Sequence, residues 1–358
     1  MPESTIAPAR PLRIAFGTPL RVFAWLSFLA EVIIIGTGGA VRLTGSGLGC
    51  SEWPLCTPES LIPLPEQGIH GIIEFGNRTM TGLVGILALA VLFLTLAAVG
   101  SRAIVMRAVW FALGGIVLGV AVYFIAAPFD LGAFGFSASL LLAVVIAAVD
   151  SLRRLDTRRD LVVLAWTVLA GVMAQAVVGG LAVLTELNAL VVGFHYVSSL
   201  LLVCVTAAYL VRLYAAPGPR ERAVPRWFAI LTHVTGLALA ATIFFGVLTT
   251  GNGPHSGDAN IVRNGFDATV LAHVHSWPGY ILAGLVIVLL VAAWTQKLPV
   301  RAWLLVLAAA IVVQIGVGIW QARDGLPEIL VGIHMVLASL SAAAYTVVVM
   351  NLKQPVEA

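Results

Sequence analysis

Apolar residues run almost unbroken along this chain, and polar residues gather in short clusters between the runs. Ten runs are about 20 residues or longer: 22–41, 70–98, 104–126, 133–150, 161–184, 189–212, 227–248, 267–293, 302–321 and 327–350. A helix of that length crosses the hydrocarbon core of a bilayer. Short alternating segments that would mark strands are not the pattern here. The expected fold class is an all-α polytopic membrane protein with about ten spans.

Composition agrees. Of 358 residues, 60% are hydrophobic and 10% are charged. A soluble domain carries about 25% charged residues, so a soluble fold and a disordered chain are both excluded. The few basic residues then set a topology. With the N-terminus in the cytoplasm, sixteen of the 20 Lys and Arg residues fall on the cytoplasmic side. Only Arg42, Arg78, Arg263 and Arg323 fall outside. The excess of positive charge inside predicts a plasma-membrane protein with both termini cytoplasmic. No cleavage site is legible after the first run, so that span is expected to be retained.

An internal repeat organises the spans. Gln175-Ala-Val-Val-Gly179 leads to His195, and Gln314-Ile-Gly-Val-Gly318 leads to His334. Thr44-Gly45-Ser46-Gly47 follows the first span, and Thr250-Gly251-Asn252-Gly253 follows the seventh. The following span carries Asn77 in the first copy and His275 in the second. The first copy is longer by 59 residues, the size of a helical hairpin. The chain therefore reads as two pseudo-symmetric four-helix bundles, 1–212 and 213–358, with an extra transmembrane hairpin at about 102–158 in the first.

Ionisable groups within a bilayer are costly and point to function. His70, His195, His273, His275 and His334 all lie towards the outer ends of spans 2, 6, 8 and 10. Paired histidines on neighbouring helices suit axial ligation of haem; interfacial hydrogen bonding is the plainer alternative for any one of them. Glu74 stands out because its counterpart in the second copy is Ala272. It reads either as a salt bridge to Arg78, one turn away, or as a catalytic carboxylate. Cys50 and Cys56 share the first outside loop, where a disulfide is permitted and metal binding is the competing reading. Cys204 lies within a span and reads as a small buried hydrophobe.

Together these residues resemble the haem A synthase family, the membrane enzymes that oxidise haem O. The resemblance covers almost the whole chain outside the hairpin. It rests on Gly38-Gly39-Ala-Val-Arg42-Leu-Thr-Gly-Ser-Gly-Leu-Gly-Cys50 with Trp53-Pro54-Leu55-Cys56, and on Glu74-Phe-x-x-Arg78. It rests also on Gly251-Asn-Gly-Pro-His255-Ser-Gly-Asp258 and on the two Gln–Gly–His helices. The resemblance implies an iron-dependent oxidoreductase of haem A biosynthesis and cytochrome oxidase assembly. Its C-terminal half would hold a haem b cofactor between His275 and His334. Its N-terminal half would take haem O as substrate and oxidise the C8 methyl to a formyl group, with Glu74 catalytic. A cysteine pair matching Cys50 and Cys56 belongs to the pattern.

Two departures accompany the resemblance. Asn77 stands where the pattern Glu-x-x-His-Arg has histidine, and an amide oxygen is a poor ligand for haem iron. His70, four residues before Glu74, is a substitute ligand on about the same face; alternatively His195 binds the substrate alone. The extra hairpin also lies outside the eight-helix pattern. His273 competes with His275, but His275 has Gly279-Tyr280 at the family spacing and is preferred. A di-haem b-type electron-transfer protein explains the paired histidines but not the lone Glu74. A secondary transporter is a third reading, weakened because the polar residues gather at one side. Expected partners are haem O, the enzyme supplying it and membrane lipid, with no nucleic acid; the electron donor and homo-oligomerisation stay open.

Overall fold

A computed structural model describes residues 16–257, 265 and 267–356. Ten helices in it are long and apolar enough to cross a membrane. They are α1 (Thr18–Leu43), α2 (Gly68–Val99), α3 (Arg102–Ala126), α4 (Gly132–Arg154) and α5 (Arg159–Leu184). The others are α6 (Ala189–Tyr214), α7 (Arg226–Asn252), α8 (Ala268–Thr295), α9 (Arg301–Arg323) and α10 (Glu328–Met350). Each apolar run of the sequence becomes one of these helices, because a backbone in lipid must satisfy its own hydrogen bonds. The protein is an all-α, multi-pass membrane protein.

Local chemistry sets the helix ends. Pro225 and Pro327 precede α7 and α10, where a missing N–H costs nothing. The Asn188 side chain caps α6 by accepting from Leu190 N–H. Asp267 caps α8 by accepting from the N–H groups of Thr269 and Val270. These bonds hold the Asp267 carboxyl below its ordinary pKa, since they favour the charged form.

Helices α1, α2, α5 and α6 pack together, as do α7, α8, α9 and α10. Helix α10 also packs against α1 and α6, and α6 against α7, so the two groups share a seam. At the basic end, β1 (Arg220–Arg222) pairs antiparallel with β2 (Lys353–Pro355), tying the linker between the groups to the C-terminal segment. The extra hairpin is α3 and α4, packed chiefly on each other and leaning on α2 and α5. Close approach through small residues holds it together, with Gly115 against Ala143 and Gly119 against Phe136. Arg107 makes a two-pronged ion pair with Asp150, at 2.8 and 2.7 Å.

Candidate functional site

In the C-terminal group, the imidazoles of His275 and His334 face each other. Their ring centres are 6.2 Å apart and their planes lie at 80°. Two metal–nitrogen bonds of about 2 Å each, plus half a ring at either side, span about this distance. One metal ion therefore fits between the rings. Among the described residues, no cluster of three or more His, Cys, Asp or Glu side chains could hold a metal ion.

The His275 ring is set by a hydrogen bond. Nδ1 of His275 hydrogen bonds to the Thr242 carbonyl at 2.9 Å. That bond fixes the ring and leaves Nε2 free as a donor atom. The Gln314 amide donates to the His334 carbonyl at 3.0 Å. Glycine makes room for both: a Cβ on Gly246 would lie 2.9 Å from the His275 ring, and one on Gly318 would lie 3.1 Å from the His334 ring. A cavity surrounds the pair. Gln314 Oε1, Gln321 Oε1, His334 Nδ1 and Ser341 Oγ are buried there without protein partners. His273, two residues earlier, is exposed and bonds back to the Thr269 carbonyl.

The N-terminal group holds a counterpart with two adjoining lobes. Asn77, Gln175 and His195 line both. The repeat recurs in space: Gly179 lies beside the His195 ring, as Gly318 lies beside His334. No second imidazole lines these lobes among the described residues. Asn77 accepts a hydrogen bond from Thr37 Oγ1 at 2.8 Å. His70 sits in the first turn of α2, exposed, with its Nδ1 2.9 Å from Ser46 Oγ. It is not brought to the cavity. The backbone of Gly49 lies against the His70 carbonyl, and the ring turns to the loop that carries Ser46.

Glu74 lines the outer lobe and is 4% exposed. Its Oε2 accepts from Cys50 N–H at 2.6 Å, and its Oε1 from Arg78 Nη2 at 2.6 Å. Arg78 also donates to the carbonyls of Cys50, Glu52 and Leu55. Cys50 and Cys56 form a disulfide, as their loop suggested. The Glu74–Arg78 pair thus clamps the disulfide loop over the cavity. Trp53 of this loop packs on Gly180 and on Phe134 of α4, with ring centres 5.3 Å apart. The extra hairpin therefore touches the rim of the site.

Three residues line both the inner N-terminal lobe and the C-terminal cavity: Arg42, Tyr196 and Met335. The Tyr196 hydroxyl donates to the Met335 carbonyl at 3.1 Å, and Arg42 Nε donates to the His255 carbonyl at 2.8 Å. The sequence reading assigned no role to this wall. It also passed over Glu31, which lines the inner lobe at 2% exposure. The signal was present, since Glu31 is the only charged residue between Arg21 and Arg42.

Fold and site define a membrane helical bundle with a paired-histidine centre in one half and an asymmetric, acid-bearing cavity in the other. The family described as COX15-CtaA, cytochrome oxidase assembly protein, matches residues 21–122 and 134–346. The chain belongs to that family. It is similar to a haem A synthase of Geobacillus kaustophilus, at 31% identity over 147 residues, covering 37% of this chain and 44% of that one. A haem A synthase of Exiguobacterium sibiricum is 38% identical over 84 residues, 23% and 28% of the two chains. A protohaem IX farnesyltransferase of Thermus thermophilus is 41% identical over 69 residues, 19% and 11% of the two. These matches each span less than half the length of the relative.

Proposed function

We propose that the protein is a haem A synthase, oxidising the C8 methyl of haem O to a formyl group. The observation that carries this is the contrast of two facing imidazoles in one half and a lone His195 beside carboxyl groups in the other. His275 and His334 hold haem b, whose chemistry when bound is one-electron transfer. His195 holds the substrate. Asn77 opposes it weakly, being a poor iron ligand engaged by Thr37. The surfaces lining both cavities are mostly apolar, which suits a large ring. Glu74 is placed to hold or move a proton at Oε2, with Arg78 and Cys50 N–H fixing its position.

The remaining assignments follow from this reading. The substrate-binding unit spans 1–212, including the hairpin, and the cofactor unit spans 213–358. The basic ends of the helices face the cytoplasm of a plasma-membrane protein, which puts both termini inside. The site then opens towards the outer face, where a disulfide is stable. The substrate comes from a farnesyl-transferring enzyme, a reading supported by the similarity to the Thermus protein.

A reduced-minus-oxidised spectrum of the purified protein tests the proposal, together with pigment extraction. A b-type haem with haem O or haem A alongside is expected. A colourless protein at full yield would overturn it. Glu74→Ala should keep the b-type spectrum and abolish haem A formation; continued synthesis would remove Glu74 from the mechanism.

A further inference from the structure

Glu31 has no role in the scheme above, yet its setting is the least expected in the molecule. It lies at the middle of α1, 2% exposed, and its Oε1 has no hydrogen-bond partner. It faces the inner lobe shared with Gln175 and His195. Among the described residues, Arg42 is the only cationic one lining that lobe, and it is eleven residues further along α1, about 16 Å along the helix axis. The titratable groups facing the lobe from other helices are His195 and Tyr196 of α6. A carboxyl in such a place is too costly to carry as an unpaired charge, so it is held as the neutral acid.

A second observation lies on the other side of Glu31. Ser27, one turn earlier on the same face of α1, lines a small void with Thr206 and Tyr209 of α6. The void has room for a single water. Tyr209 Oη is 2.6 Å from Thr95 Oγ1 of α2, both fully buried. Beyond them, towards the basic end, Arg158 reaches the Arg212 carbonyl. Hydroxyl groups thus lie between the basic end of the bundle and Glu31, with Ser27, Thr206 and Tyr209 sharing the void and Tyr209 hydrogen-bonded to Thr95. In the second copy the positions of Glu31, Thr95 and Tyr209 are held by Leu237, Ala293 and Val348. The positions of Ser27 and Thr206 stay polar there, as His233 and Tyr345, so it is the carboxyl and the Thr95–Tyr209 link that the second copy lacks.

We propose that Glu31 is an intramembrane proton carrier, linked by Ser27, Thr206, Tyr209 and Thr95 to the basic end of the bundle and serving the N-terminal cavity. The carboxyl releases one proton on one side and takes another from these hydroxyl groups on the other. Only O–H bonds break and form, and the net result is one proton moved. Its service to the reaction rests on the reading of that cavity as the substrate site; its proton exchange does not.

The test is infrared spectroscopy on the resting holoprotein after mixing into D₂O. A protonated-carboxyl band should be present, shift in D₂O and vanish in Glu31→Gln, while the histidine-bound haem spectrum stays. Tyr209→Phe with Thr95→Val should slow the shift about tenfold, the effect of losing one hydrogen-bonded link. Ser27→Ala gives an independent arm if the double variant does not fold. Absence of a band removed by Glu31→Gln would overturn the proposal, as would unchanged exchange in the hydroxyl variants. Because no turnover is needed, these outcomes are separate from whether haem A is made.

Discussion

The two helix groups, α1, α2, α5, α6 and α7–α10, carry similar sequence features and differ at a few aligned positions. Where the C-terminal half has His275, the N-terminal half has Asn77. Where it has Ala272 and Leu237, the N-terminal half has Glu74 and Glu31. One half thus presents two imidazoles with ring centres 6.2 Å apart, that of His275 held by the Thr242 carbonyl. The other presents one imidazole, an amide and two buried carboxyls. A symmetric ligand pair saturates a metal and holds it. A single ligand with acids nearby leaves room for chemistry and supplies protons for it. On the proposed reading, these few differences separate holding from reacting.

The comparison breaks most visibly at the ligands. His334→Ala should abolish the b-type signal in a reduced-minus-oxidised spectrum, with the haem-to-protein ratio falling to background. His195→Ala should leave that signal and remove bound haem O. If both variants lost the same pigment, the two cavities would not be functionally distinct. Next in size is Glu74→Gln, which keeps the shape but not the charge. It should lower haem A formation by about 10²–10⁴-fold, the range for a lost general acid–base group. Arg78→Ala acts on the same pair differently, leaving a buried carboxylate without its cation at a cost of about 3 kcal/mol. A lower unfolding midpoint in detergent would report it.

Asn77→His sharpens the comparison by making the first half like the second. Gly38 lies beside Asn77 and leaves room for a larger ring. The variant should show a second bis-histidine signature and turn over at least about tenfold more slowly. A variant that gained the signature and kept full turnover would show that the open position is not what reaction requires.

The ten helices were legible because lipid demands long apolar runs and rewards no other backbone. The paired histidines were legible because the repeat put them in register. The wall between the cavities was not. Tyr196 meets Met335 across 139 residues of sequence, and no local pattern encodes such a contact. His70 misled for a related reason. Its spacing from Glu74 is right for one helix face, but α2 begins only at Gly68. The first turn packs under the loop of Gly49 instead of over the cavity. Glu31 was legible in principle, as a single acid in an apolar span. Its burial on the cavity side is what the structure adds.

The smallest expected effect concerns the extra hairpin, which breaks the symmetry of the halves from outside. It touches the site through Phe134 on Trp53, whose loop is already clamped by the disulfide and by Arg78. Such an aromatic pair is worth about 0.5–1.5 kcal/mol. If the hairpin steadies the rim of the substrate cavity, Phe134→Ala should raise KM for haem O by roughly two- to tenfold at nearly constant kcat. Phe134→Leu should recover part of the loss, since it restores apolar contact without the ring. The b-type spectrum should not change, because His275 and His334 lie in the other half. A fall in kcat with KM unchanged would instead place the hairpin's influence on Glu74, through the loop that Arg78 and the Cys50 N–H hold in common.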